Sequence, residues 1–127
     1  MRAELLYKIA DIINSNSTKY RAVIPRVRRQ YMTQQGDKLV KSTCLVLNIM
    51  VTNRPKNHIN RSIWNIYEND IDRIIKKIAR RDMAFAQRID NCEPTLFDIE
   101  VIVRRASFQA LKLKLVKTSY DIYLENS

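Results

Sequence analysis

The sequence predicts one α+β domain: a two-layer sandwich of two helices packed on a mainly antiparallel sheet, in the order α-β-β-α-β-β. Apolar residues recur at helical spacing in two segments, and the segments after each of them alternate between apolar and polar residues. The length of 127 residues is typical of a single domain. We therefore expect residues 1–127 to fold as one unit.

The first helix is predicted over residues 2–14. Its apolar stripe repeats at helical spacing and consists of Leu5, Leu6, Ile9, Ile12 and Ile13. The polar run 14–17 is typical of a loop and is expected to end the helix.

A long β-hairpin is predicted next. From Ala22 to Tyr31, apolar residues alternate with arginines, which indicates a strand with one basic face. Pro25 makes this an edge strand or a bulged strand, because proline cannot donate a hydrogen bond to a neighbouring strand. The best turn signal in the chain lies at residues 34–37, and a second strand is predicted over residues 39–51.

A second helix is predicted after the polar loop 52–60, with Asn60 or Ser62 as its N-cap. Its apolar stripe consists of Ile63, Tyr67, Ile71, Ile74, Ile75 and Ile78. Acidic residues come early in this helix and basic residues late, which is the order that the helix dipole favours. Residues 82–90 are expected to add a short helical turn.

Two further strands are predicted after Pro94. In the first, Phe97, Ile99, Val101 and Val103 alternate with Asp98 and Glu100. In the second, leucines alternate with lysines over residues 111–115, and the alternation changes phase before residues 120–124. Such a one-residue slip requires a β-bulge or a sharp bend.

The net charge, the glycine content and the apolar content of the chain exclude some classes of function and favour others. A formal net charge of +10 favours an acidic partner, either nucleic acid or an acidic protein surface. The single glycine, Gly36, excludes glycine-rich phosphate-binding loops. No run of eighteen apolar residues predicts a membrane span, and the N-terminus lacks the pattern of a signal peptide. We expect Cys44 and Cys92 to be free thiols in a reducing compartment.

The sequence does not predict an enzyme, a metal site or a cofactor site. His58 is the only histidine, it lies in a polar loop, and no nucleophile or zinc-ligand pattern accompanies it. Asp98 and Glu100 share a predicted strand face and are expected to form salt bridges or to face solvent. No small-molecule partner is expected.

The candidate contact residues are basic or aromatic. The cations lie on both strands of the first hairpin: Arg26, Arg28, Arg29, Lys38 and Lys41. This basic surface is a solvated face, a docking site for an acidic protein or a ribbon for nucleic acid. Two aromatic residues are candidates for protein contacts: Trp64 in the first turn of the second helix, and Phe108 in the predicted C-terminal hairpin turn.

The element order and several segments resemble the phage tail-terminator or tail-completion proteins, the family of the lambda tail terminator. The segments that carry the resemblance are the opening helix, the long strand, the second helix and the closing runs: residues 1–6, 44–51, 66–78, 94–100, 110–115 and 120–124. The likeness spans most of the chain at the level of pattern and topology. Members of that family often have more glycine and are often acidic, so this chain departs from them.

The resemblance implies a structural virion protein in the tail or neck, present in the host cytoplasm during assembly. Such proteins form a six-fold ring that terminates the tail tube and meets the connector proteins. DNA would then be passing cargo, and we expect the positive charges to face protein partners. The alternative is a small basic nucleic-acid-binding or viral regulatory protein.

Overall fold

The computed structural model describes residues 3–51 and 64–107, together with positions 123 and 126. It is a mixed α+β structure. In chain order, its elements are α1 (Ala3–Asn16), β1 (Tyr20–Val23), β2 (Arg29–Gln35), β3 (Lys38–Cys44), β4 (Val46–Val51), β5 (Trp64–Tyr67), α2 (Glu68–Ala79), α3 (Met83–Asp90) and α4 (Leu96–Ser107).

Within these described ranges the strands form two antiparallel sheets. The central sheet has the order β1-β4-β5, and the second sheet is the hairpin β2-β3. The hairpin turns at Gly36, whose φ of +62° lies in the left-handed region that glycine adopts at least cost. The turn predicted at residues 34–37 is therefore confirmed.

The first strand of the predicted hairpin is divided in two, which corrects the sequence prediction. Strand β1 ends at Val23, two residues before Pro25, and β2 begins at Arg29. Because proline removes a ladder donor, the chain leaves the central sheet there and crosses to the hairpin. Arg26 and Arg28 consequently lie in the crossing segment, outside both strands.

The predicted strand 39–51 is also divided, at Leu45. Residues before Leu45 pair with β2, whereas residues after it pair with β1 and β5. The backbone at this switch is held by Glu68, whose N–H donates to the Leu45 carbonyl at 3.0 Å. The alternation of apolar residues predicts the strands here, but it does not show which sheet each half joins.

The second helix begins later than predicted. Residues 64–67 form β5, which pairs with β4, and α2 starts at Glu68. Trp64 and Tyr67 therefore lie in a strand and not in a first helical turn, so that prediction was wrong. Glu68 and Asp70 place acidic side chains in the first turn of α2, where the helix dipole favours them. The helical turn expected at 82–90 is confirmed as α3.

The largest correction concerns the segment after Pro94. Residues 97–103 were predicted as a strand, but they lie in α4. The buried positions follow helical spacing: Ile99 and Val103 belong to the predicted alternation, and Ile102 and Ala106 do not. The α-β-β-α-β-β order is therefore wrong for the described residues, and the two-layer packing stays a prediction. The strands predicted at 111–115 and 120–124 lie outside the described residues.

One apolar core joins the helices and the central sheet. It takes Leu6, Ile9 and Ile13 from α1, residues from one face of β4 and β5, and the stripes of α2, α3 and α4. The predicted stripe of the first helix is confirmed in its fully buried members. Asn14 fixes α1 to β1, because its side-chain amide both accepts from the Ala22 N–H at 2.7 Å and donates to the Ala22 carbonyl at 2.9 Å.

Both cysteines are free thiols: Cys44 is buried and Cys92 is half-buried. In the described ranges, none of the helices is long and apolar enough to cross a bilayer.

Candidate docking surface

The β2-β3 hairpin carries most of the predicted contact cations, and its register assigns them to faces. Directly opposed residues share a face in an antiparallel pair, so Met32 and Lys41 point the same way, as do Gln34 and Leu39. We call this the outer face; it consists of Gln30, Met32, Gln34, Leu39, Lys41 and Thr43, all of them exposed.

The opposite, inner face of the hairpin turns toward the rest of the chain. Along β3, burial increases on this face from exposed Lys38 through half-buried Val40 and Ser42 to buried Cys44. Arg29 pairs with Cys44 on the same face and is exposed. The expected single basic face is thus divided: Arg29 and Lys38 belong to the inner face, and Lys41 belongs to the outer face.

The outer face combines apolar and basic character. Met32 is 52% exposed and Leu39 is 67% exposed. They are diagonal neighbours on adjacent strands, because Leu39 lies two residues from Lys41, the direct partner of Met32. Large apolar side chains in this position contribute nothing to the core. Clustered exposure of this kind is typical of surfaces that bind another protein.

Arg28 holds the base of the hairpin against the body of the protein. Its Nη1 lies 3.8 Å from Oε1 of Glu68, whose side chain is only 1% exposed. The same Oε1 accepts a long hydrogen bond of 3.5 Å from the Leu45 N–H. The other oxygen, Oε2, is buried and accepts no hydrogen bond from the described residues. This carboxylate is incompletely satisfied, which is costly for a buried charge.

Asp98, expected on a strand face, lies in the first turn of α4 instead. Its carboxylate accepts two hydrogen bonds from Arg88, at 2.8 and 3.0 Å, and one from the Thr95 N–H at 2.9 Å. The Asp98 N–H donates in return to Thr95 Oγ1 at 3.1 Å, which completes a capping box. The salt bridge expected of Asp98 is therefore present, but its role is to start a helix.

The charges around Asp98 shift its pKa and that of its partner. Burial raises the pKa of Asp98, but the hydrogen bonds from Arg88 and Thr95 outweigh burial, so the pKa lies below its ordinary value of 3.8. The hydrogen bond to Asp98 raises the pKa of Arg88. The pair is ionised at neutral pH and stabilises the α3–α4 region.

Of the two aromatic candidates, Trp64 is the one that lies among the described residues. Trp64 is half-buried in β5, packs against the core, and its ring centroid lies 5.5 Å from that of Tyr20. Its role as a contact residue stays a prediction. Phe108 and His58 lie outside the described residues. Over the described ranges, no group of His, Cys, Asp and Glu side chains has the geometry to hold a metal ion.

Sequence reasoning missed two features of this surface. The apolar side chains Met32 and Leu39 were not named as contact candidates, although the strand register from the Gly36 turn places them on one face. The role of Glu68 depends on a contact with Leu45, 23 residues away, and no local signal indicates it.

No family model, no curated protein and no solved structure matches this chain.

Proposed function

We propose that this chain is a non-catalytic assembly protein whose β2-β3 hairpin docks head-to-tail on the α1 helix of a neighbouring copy. The observation that carries the proposal is the outer face of the hairpin, where exposed Met32 and Leu39 adjoin Lys41. A surface of this composition fits a partner that offers both apolar contact and negative charge.

Part of the solvent face of α1 has the complementary composition, beside the exposed Lys8. Glu4, Tyr7 and Asp11 are spaced three and four residues apart, so they share one face of the helix. All three are exposed, and Tyr7 is 48% exposed despite its large ring. Neither carboxylate forms an ion pair with a described residue. The Tyr7 ring can pack on Met32 and Leu39 of the neighbouring copy. Either carboxylate can then pair with Lys41.

The two surfaces lie on different elements, which determines the type of assembly. An interface between unlike surfaces of identical chains is heterologous, so each copy offers one donor hairpin and one acceptor helix. Heterologous interfaces produce closed rings when the rotation between copies closes and filaments when it does not. A ring of identical copies is thus one of the two assemblies that this type of interface allows.

The finer form of the proposal comes from the resemblance to tail-terminator proteins. In that form the chain is a virion protein of two-layer architecture. It makes a hexameric ring at the end of the tail tube, contacts tube and connector proteins, and lets DNA pass. The opening helix and the helix 68–79 support this form. The closing run 94–100 no longer supports it, because α4 replaces the strand that the resemblance requires.

Light scattering of the purified chain over a range of concentrations tests the proposal. We expect the mass of the wild-type protein to rise to a discrete multiple of 15.0 kDa. The double variant Met32→Glu/Leu39→Glu is expected to stay monomeric, because two carboxylates replace the apolar centre of the interface.

The matched control is Met83→Glu/Phe97→Glu, which places the same two charges on exposed apolar residues outside the hairpin. It is expected to assemble like the wild-type protein. A wild-type chain that stays monomeric up to about 1 mM, where even weak interfaces associate, contradicts the proposal.

A second candidate function is nucleic-acid binding, favoured by the charge of the hairpin region. Residues 26–44 contain five cations and a single carboxylate, Asp37. Such a ribbon could contact phosphates, and its affinity for DNA or RNA would fall steeply with salt. A monomer or dimer with a steep salt dependence supports this candidate, and a ring with little nucleic-acid affinity supports the first.

A further inference from the structure

A cavity of about 540 Å³ lies where the C-terminal ends of α2 and α4 meet. Its lining is mostly basic and comes from both helices and from the α2–α3 turn: Lys77, Ile78, Arg80, Arg81, Asp82 and Arg105. Its volume is in the usual range for pockets that hold small molecules. It is separate from the hairpin, with which it shares no lining residue.

The cations of this cavity differ from the cations earlier in the same helix. Arg73 pairs with Asp70 at 3.1 Å, and Lys76 pairs with Asp72 at 3.0 Å. In contrast, Lys77, Arg80, Arg81 and Arg105 form no ion pair with a carboxylate of the described residues. The early part of α2 is neutralised by its own acids, and the late part is not.

Among the described residues that line the cavity, the one acid, Asp82, already accepts a hydrogen bond. Asp82 is the N-cap of α3, and its Oδ1 accepts a hydrogen bond from the Phe85 N–H at 3.1 Å. A capping carboxylate stabilises its helix by about 1 kcal/mol, which favours this position over a salt bridge with a mobile arginine. Asp82 therefore lowers the positive potential of the cavity but does not pair with the described cations that line it.

Helix dipoles explain some of these cations but not all of them. Each helix C-terminus has about half a negative charge, so the ends of α2 and α4 together neutralise about one cation. Asp82 offsets one more. Four cations then leave an excess of about two positive charges around an open cavity. A phosphate monoester or pyrophosphate group carries negative charge of about this size.

We propose that this cavity is a binding site for a phosphate-bearing small molecule, with Arg80 and Arg81 from the α2–α3 turn and Arg105 from α4 as the phosphate contacts. Guanidinium groups suit the role because they bind phosphate oxygens in pairs of parallel hydrogen bonds. Lys77 adds a point charge, and Ile78 supplies apolar contact. The site does not depend on the assembly proposed above, since no hairpin residue takes part.

Isothermal titration calorimetry of the full chain at 0.15 M salt tests the site, with inorganic phosphate, inorganic pyrophosphate and ATP as separate probes. We expect saturable binding of pyrophosphate at one site per chain. The variant Arg80→Gln/Arg81→Gln is expected to lower the affinity at least tenfold, and Arg105→Gln about tenfold, because each removes charge-assisted hydrogen bonds. These side chains are exposed, so thermal unfolding should match the wild-type protein.

The matched control is Arg29→Gln/Lys38→Gln, which removes the same two charges from the hairpin. The affinity of this variant for pyrophosphate is expected to stay within about twofold of the wild-type value, because Arg29 and Lys38 lie outside the cavity. Tighter binding of ATP than of pyrophosphate supports a nucleotide as ligand, and equal affinity supports the phosphate group alone. Absence of saturable binding by all three probes, or an equal loss in the control, overturns the proposal.

Discussion

Two helices of this protein carry, in their first turn, a buried carboxylate that faces an arginine, and the two carboxylates differ in how many hydrogen bonds they accept. At α4, Asp98 accepts two short hydrogen bonds from Arg88 and one from Thr95. At α2, Glu68 faces Arg28 across 3.8 Å, and one of its oxygens accepts no hydrogen bond from the described residues. At the first site, both carboxylate oxygens accept hydrogen bonds. At the second site, the hairpin base is joined to the core by a long ion pair of 3.8 Å between Arg28 and Glu68.

The two carboxylates differ in how far along the chain their hydrogen-bond and ion-pair partners lie. Arg88 in α3 and Thr95 just before α4 are both within ten residues of Asp98, so this site forms by local contacts. Arg28 lies 40 residues before Glu68, in the crossing segment between the two sheets. Its side chain is 44% exposed, so solvent screens the ion pair. The helical half should therefore be the rigid part and the hairpin base the adaptable part.

The largest effect is expected for Asp98→Asn. The asparagine amide keeps the shape of the carboxylate but cannot accept both hydrogen bonds of Arg88, and it loses the charge that pairs with it. We expect the free energy of unfolding to fall by about 2 kcal/mol, the cost of charged hydrogen bonds at a partly buried site. Urea denaturation measures it. Glu93→Gln, an exposed change nearby, is the control and should have no measurable effect.

The same pair predicts an acid dependence. Because the pKa of Asp98 is lower in the folded chain than its ordinary value of 3.8, its contribution to stability is fully present above that value. It is lost as the pH falls through the folded pKa. The difference in stability between wild-type protein and Asp98→Asn should therefore be constant above pH 5 and shrink below 3.8. A constant difference down to pH 2 contradicts this account.

A smaller effect is expected for Glu68→Gln. The change keeps an acceptor for the Leu45 N–H and removes a buried charge whose partner is distant. The cost of losing the ion pair and the gain from removing an incompletely satisfied carboxylate should nearly cancel. We expect the free energy of unfolding to change by less than about 1 kcal/mol in either direction. A loss larger than that of Asp98→Asn would reverse the comparison between the two sites.

The sequence predicts those parts of the fold that depend on local chemistry. The α1 stripe, the Gly36 turn and the α3 segment are all confirmed because each depends on neighbours within a few residues. The capping box Thr95-x-x-Asp98 is equally local, and it indicates a helix start at Thr95 where the alternation of residues 97–103 indicates a strand. The alternating set omits Ile102 and Ala106, which complete the helical stripe of Ile99 and Val103, so alternation alone favoured a strand.

The parts that sequence reasoning missed depend on distant contacts. The change of sheet at Leu45 and the delayed start of α2 both involve Glu68, and no neighbour in sequence indicates that pairing. The basic surface was only partly predicted for the same reason. Its residues were identified, but their distribution between two faces and a crossing segment follows from the strand register and from the break at Pro25.

Mixing two interface-defective variants tests head-to-tail docking most directly. Met32→Glu/Leu39→Glu removes the donor hairpin, and Tyr7→Lys/Asp11→Lys removes the acceptor helix; each variant alone is expected to be monomeric. Because one intact hairpin and one intact helix remain in the mixture, sedimentation velocity should show a heterodimer that does not extend further. A mixture that stays monomeric, or one that rebuilds the full wild-type ring, contradicts the proposed interface.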